Sequence, residues 1–221
     1  MSMGFESPAE RASRRNRALI RAAVVVFVVA ATLVLDRWLF GLTRVDDPAS
    51  LERKDWYRLL RVMGYWPTWL AAAAIVELSP RTGPGAGPTG GGAWWHRPAV
   101  NAALSAGVAG LLAELGKVLV SKERPGPEGL HVFRGPLSAL WTEPVYGWGM
   151  PSSHAAVAFG AAWAIARWSP RGGAVAVALA AGCGLTRMLS GAHFASDVVA
   201  GAAIGLGAAW LVSPGRRRGV S

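Results

Sequence analysis

His193 and Asp197 stand four residues apart, and Arg187 precedes the histidine by six. On a helical face an i, i+4 spacing lets an imidazole touch a carboxylate. The carboxylate would accept a hydrogen bond from one ring nitrogen, fix the tautomer and leave the other nitrogen free to attack an electrophile. A second histidine, His154, follows Pro151-Ser152-Ser153. That stretch suits the start of a helix, where serine hydroxyls and free backbone amides would cradle an oxyanion. Lys117 and Arg124 are seven residues apart, so they share a face if a helix persists between them, with Pro125 ending it. Taken singly, Arg187, His193 and Asp197 have a bland account as helix-end groups that snorkel to water. Taken together, cations, imidazoles and a carboxylate converging on one spot are what a phosphate site requires.

The elements that must position these groups are membrane helices. Of the 221 residues 52% are hydrophobic and only 16% charged, with a mean hydropathy of +0.30. A soluble domain carries about a quarter charged residues. Apolar runs cover about Ala18–Phe40, Trp56–Leu78 (with a kink expected at Pro67), Pro98–Val120, Ser153–Trp168, Gly172–Leu189 and Phe194–Val212. The expected fold class is therefore all-α, an integral membrane protein with six transmembrane helices over residues 18–213. Basic tails flank it at 1–17, expected to be disordered, and 214–221. The first run leaves through Asp36-Arg37-Trp38 instead of a small-residue cleavage site, so it reads as a retained helix. A Gly/Pro-rich stretch, Ser79–Ala93, and a longer mixed segment, 121–151, read as loops.

An even number of spans puts both arginine-rich tails on one side, which positive-inside reasoning makes the cytoplasm. The 121–151 loop and the 190–193 turn then share the opposite face. Arg37, Arg44, Arg53, Lys54 and Arg58 in the first outer loop argue mildly against this orientation, offset by Asp36, Asp46, Asp47, Glu52 and Asp55. Much of the net charge of +10 sits at the two ends, beside apolar helices. It therefore points to anionic lipid headgroups, not nucleic acid. The one cysteine, Cys183, excludes an internal disulfide and reads as a small core residue. None of His96, His131, His154 and His193 has a zinc-binding spacing, so no metal and no cofactor is expected.

Three segments resemble the type 2 phosphatidic acid phosphatase superfamily, which includes the vanadium haloperoxidases. The first is a lysine, six residues, then Arg-Pro, here Lys117 to Arg124-Pro125. The second is Pro-Ser-Gly-His, here Pro151-Ser152-Ser153-His154. The third is Ser-Arg, five residues, His, three residues, Asp, here Thr186-Arg187, His193 and Asp197. Ser153 in place of glycine would crowd the cradle or add a donor; Thr186 in place of serine keeps the hydroxyl.

The resemblance implies an acid phosphatase/vanadium haloperoxidase-like helical core and a metal-independent membrane phosphatase. His193 would be the nucleophile, oriented by Asp197, with His154 as general acid and then base. Lys117, Arg124, Arg187, Ser152, Ser153 and the local amides would bind phosphoryl oxygens. The implied partner is a membrane lipid phosphate in a bacterial inner membrane, the site facing outward. Undecaprenyl diphosphate, phosphatidylglycerol phosphate, phosphatidate and the phosphate of lipid A are the candidate substrates.

A phosphotransferase would carry the same motifs, and a transporter or channel lined by these charges is the alternative from another class. Of the other polar residues, Glu114 reads as a structural partner of Lys117, Lys122 as a solvated charge and His131 and His96 as ordinary loop histidines. Arg134 would contact a headgroup by position alone. Trp94, Trp95, Trp141, Trp148 and Trp168 read as interface anchors.

Overall fold

The computed structural model describes residues 7–79 and 97–212. His96, Trp94, Trp95, nearly all of the Ser79–Ala93 loop and the 214–221 tail lie outside them. The described chain is mostly helical: α1 (Pro8–Thr43), α2 (Pro48–Leu51), α3 (Asp55–Val62), α4 (Trp66–Leu78), α5 (Pro98–Val120), α6 (Ser153–Trp168), α7 (Pro170–Leu189) and α8 (Ala195–Val212). Two short strands, β1 (Lys122–Glu123) and β2 (Trp148–Met150), pair antiparallel with Lys122 opposite Met150. The expected all-α class holds as a mostly helical fold, with this short ribbon added.

Helix α1 has 36 residues, about 54 Å at the helical rise. That exceeds the ~30 Å hydrocarbon core, so its arginine-bearing first turns extend past a membrane slab. The expected disordered tail is therefore helical from Pro8 onward. The same helix runs on to Thr43, which places Asp36 inside it and not in an outer loop. Its flanks expose Leu19, Ile20, Val26, Phe27 and Val34, an apolar surface suited to lipid.

Among the described residues four helices, α1, α5, α7 and α8, are long and apolar enough to cross a membrane. The α3–α4 pair makes a fifth if its 78° bend is one broken span. The bend falls at Met63-Gly64-Tyr65, just ahead of Pro67. Pro67 sits in the first turn of α4, where its missing N–H costs nothing. With 16 residues, α6 is shorter than a typical span of about 20.

Helices α5, α6, α7 and α8 meet through small side chains: Ala106, Ala109, Ala156, Ala158, Ala161 and Ala208 are buried at the centre. Without a hydrophobic drive between helices in lipid, small residues allow the close backbone approach that dispersion needs. At Gly205 an added Cβ would lie 2.6 Å from Gly160 N and 2.8 Å from Ala156 O, so any larger residue would push α8 off α6. This packing brings the C-terminal end of α7 and the N-terminal ends of α6 and α8 together.

Candidate active site

Helix α5 ends at Val120, where Ser121 takes a left-handed conformation (φ 46°, ψ 46°). The helix therefore does not persist to Arg124, correcting the expected shared face with Lys117. The chain turns into β1 instead. Arg124 N donates to Gly147 O at 2.8 Å, and Arg124 Nε reaches Trp148 O at 3.4 Å. It is the ribbon, not a helical face, that aims Arg124.

At the far end of the ribbon Ser152 caps α6, its Oγ accepting from Ala155 N. Ser152 N donates to Asp197 O at 2.9 Å, tying the start of α6 to α8. His154 follows in the first turn of α6. The α3–α4 bend packs tightly on it, since a Cβ on Gly64 would lie 2.7 Å from His154 Cβ. Arg187, His193, Arg61 and Lys117 are the charges within electrostatic reach of His154.

Between α7 and α8, Ala192 N and His193 N both donate to Arg187 O, at 3.1 and 3.2 Å. Gly191, with φ +68°, makes this return turn possible. His193 is buried. Its Nδ1 faces Asp197 Oδ2 at 3.5 Å, a long approach that leaves the nitrogen without a well-formed hydrogen bond. Burial pushes the His193 pKa below its ordinary 6.5; the Asp197 carboxylate opposes that shift, and Arg187 and Arg124 add to it. The imidazole is thus held neutral, the form that can attack. Arg187 Nε is also buried without an acceptor, a guanidinium positioned to take an anion's oxygen.

Lys117 and Ser153 are placed differently from the rest. Lys117 Nζ donates to Glu114 Oε1 at 2.8 Å, and Ser153 Oγ donates to the same oxygen. Glu114 thus has the structural partnership expected of it, while the Ser153 hydroxyl is spent on Glu114. A cavity of about 600 Å³ opens beside this cluster, lined by Trp66, Leu104, Gly107, Val108 and Leu111 with Glu114 and Ser153 also on its wall.

Two expectations are overturned. Lys122 is not solvated: it is fully buried, donating to Asp197 Oδ1 at 2.7 Å and Ser196 Oγ at 3.1 Å. His131 is not an ordinary loop histidine. Its ring lies 4.4 Å from that of Phe194, and its Nε2 is 3.7 Å from Asp36 Oδ2. Burial and then Lys122 hold its pKa below the usual value. Arg134 pairs with Glu123 at 2.6 Å. Asp36, expected in an outer loop, and Ser196, not singled out by the sequence, complete the buried cluster. An acid inside an apolar run was the available signal for Asp36. Nothing local marked Lys122, whose burial follows from strand pairing. Among the described residues no three His, Cys, Asp or Glu side chains converge as a metal site would require.

A search of curated proteins finds no match to this sequence. Among solved structures the fold is similar to a transmembrane PAP2 type phosphatidylglycerolphosphate phosphatase from Bacillus subtilis. The TM-score is 0.56 and the identity 19%, over 86% of this chain and 90% of that one. The signature of the PAP2 superfamily matches residues 98–219, more than half of the sequence and all three motif segments. With the motifs gathered at one end of a helical membrane core, the chain belongs to the PAP2 superfamily, a family of phosphatase hydrolases.

Proposed function

We propose that this protein hydrolyses a lipid phosphate or diphosphate at the outer face of a bacterial inner membrane, through a phosphohistidine and without a metal. The observation that carries this reading is the His193–Asp197 pair, buried beside the unpartnered Arg187 Nε. With Nδ1 turned toward Asp197, Nε2 is the nitrogen left to attack phosphorus in line. The P–N bond forms as the P–O bond to the leaving group breaks, and His154 gives that oxygen its proton. His154 then takes a proton from water, the water oxygen attacks phosphorus, and the P–N bond breaks to free phosphate and neutral His193.

Arg124, Arg187 and Lys117, assisted by the Ser152 hydroxyl and the Ser153 amide, hold the equatorial oxygens, supplying positive charge that grows in value in a low-dielectric site. Lys117 must exchange Glu114 for substrate to do so. The apolar cavity beside Glu114 and Ser153 suits an acyl or prenyl chain entering from the membrane. Taking α6 and the bent α3–α4 unit as crossings gives six spans, with both termini cytoplasmic and the site outside. Undecaprenyl diphosphate and phosphatidylglycerol phosphate lead the substrates, followed by phosphatidate.

The test is phosphate release from these three lipids by detergent-purified protein in the presence of EDTA, beside His193→Ala. Release from at least one lipid, lost in His193→Ala, is the expected result. No release from any of them, or full activity in the variant, refutes the reading.

A further inference from the structure

The charges buried most deeply at this site are not those that would touch phosphate. Lys122, Asp36 and Asp197 have no exposed surface. Lys122 Nζ lies 2.7 Å from Asp197 Oδ1, 3.1 Å from Ser196 Oγ and 3.6 Å from Asp36 Oδ2. Its ammonium also sits 4.4 Å from the centre of the Phe194 ring. Asp36 Oδ1 accepts from Ser196 N at 2.8 Å, and Ser196 Oγ donates to Asp36 Oδ2.

The two oxygens of Asp197 are therefore divided. Oδ1 belongs to Lys122, while Oδ2 accepts from Phe194 N at 3.0 Å and faces His193 Nδ1. A carboxylate free to rotate would present either oxygen; pinning one aims the other. A buried carboxylate carries its full influence over a neighbouring imidazole, since little solvent screens it.

We propose that Lys122 is a positioning residue for the catalytic pair, and that with Asp36 it forms a buried charge triad setting how strongly Asp197 acts on His193. The inference rests on His193 being the nucleophile, as proposed above. It also extends the working site to α1, outside the segment by which the family is recognised.

The logic is electrostatic. Lys122 offsets the negative charge that Asp197 presents to His193, and Asp36 in turn offsets Lys122. The other charges acting around the pair are Arg61 from α3, acting on His154 and Arg187, Tyr57 from α3, acting on Arg187, and Lys117 from α5. Arg124 and His131 come from the 121–151 segment, His154 from α6 and Arg187 from α7. Of these, His131 also faces the cluster, its Nε2 3.7 Å from Asp36 Oδ2 and within electrostatic reach of Lys122 and Asp197, but the ammonium that contacts both carboxylates is that of Lys122. Removing the lysine should make His193 easier to protonate; neutralising Asp36 should make it harder. A cluster that merely fastened α1 to α8 would produce no such opposition.

The experiment measures kcat and KM from pH 4 to 9 on dioctanoyl phosphatidate and farnesyl diphosphate, with the full-length protein in detergent. Outer partners of a site typically contribute about 10- to 100-fold. Lys122→Met should lose kcat in that range with KM little changed, and the acid limb of kcat/KM should move up by about one pH unit. Lys122→Arg should recover most of the rate. Asp36→Asn should move the acid limb down.

Unchanged profiles, or both limbs moving the same way, overturn the inference while leaving the phosphatase reading intact. Should Lys122→Met fail to fold, the direction of the Asp36→Asn limb decides alone: downward supports the triad, unmoved or upward overturns it. A wild-type protein inert on these probes and on all three lipids of the phosphate-release assay, or an active His193→Ala, overturns the nucleophile assignment and the inference with it.

Discussion

Two lysines five residues apart each meet a carboxylate at nearly the same distance, Lys117 to Glu114 at 2.8 Å and Lys122 to Asp197 at 2.7 Å. Their surroundings differ completely. The Glu114 side chain is 59% exposed and that of Lys117 13%, whereas both partners of the second pair are at 0%. An exposed pair gains little net free energy and can be exchanged for another partner. A buried pair cannot be opened without leaving a bare charge in low dielectric. The first pair is thus suited to giving up its lysine to an incoming phosphate, the second to holding its carboxylate still. A hydrogen-bond distance alone says nothing of which role an ion pair plays.

The contrast can be tested from both sides. The largest effect is expected for Asp197→Ala, which takes from Lys122 its closest carboxylate and leaves a buried charge short of its counterion. It should end turnover and cost about 3–5 kcal/mol of stability, seen as a lower melting temperature in detergent. His193→Ala should end turnover with little loss of melting temperature; a comparable loss in both variants would break the distinction between chemistry and support. Lys117→Ala should raise KM by about tenfold or more, in line with a charge-assisted hydrogen bond worth roughly 1.5–3 kcal/mol, with a smaller change in kcat; a KM as in wild type would place Lys117 away from substrate.

The pH profile comes next in size. The native pKa of His193 lies below 6.5, so the acid limb of kcat/KM should fall below pH 6.5. Between that native value and 6.5 the unfolded chain binds the proton more readily than the folded one. The contribution of His193 to stability is therefore complete above pH 6.5 and is lost as pH falls through this window. A limb at or above 6.5 would contradict the burial argument. The smallest effect belongs to Glu114→Gln. It should alter stability by no more than about 1 kcal/mol and tighten inhibition by inorganic phosphate a few-fold, because Lys117 no longer has a competing partner.

Much of this contrast was hidden in the sequence. The motif spacings pointed to His154, Arg187, His193 and Asp197, and the apolar runs located α5 to α8 within a few residues, because both depend on local periodicity. The path of Arg124 was not legible, since a left-handed Ser121 and two-residue strands leave no periodic trace. Nor was the burial of Lys122. A lysine between a helix and an Arg-Pro reads as solvated until β2, α1 and α8 close over it. Asp36 was visible as an acid at the edge of an apolar run, but the carboxylate was assigned to the loop it resembles, not to the helix that contains it. Ser153, expected to serve the anion, is drawn to Glu114 by a contact between residues 39 apart.

The placement of Asp36 on the first helix bears on how the protein is made. Its hydrogen-bonding partner Ser196 lies 160 residues later in the chain, so α1 reaches the bilayer long before α8 has left the ribosome. An ionised aspartate at mid-bilayer costs about 2.5–3.5 kcal/mol on insertion scales. The newborn helix therefore keeps this side chain near the headgroups until α8 brings Ser196 to it.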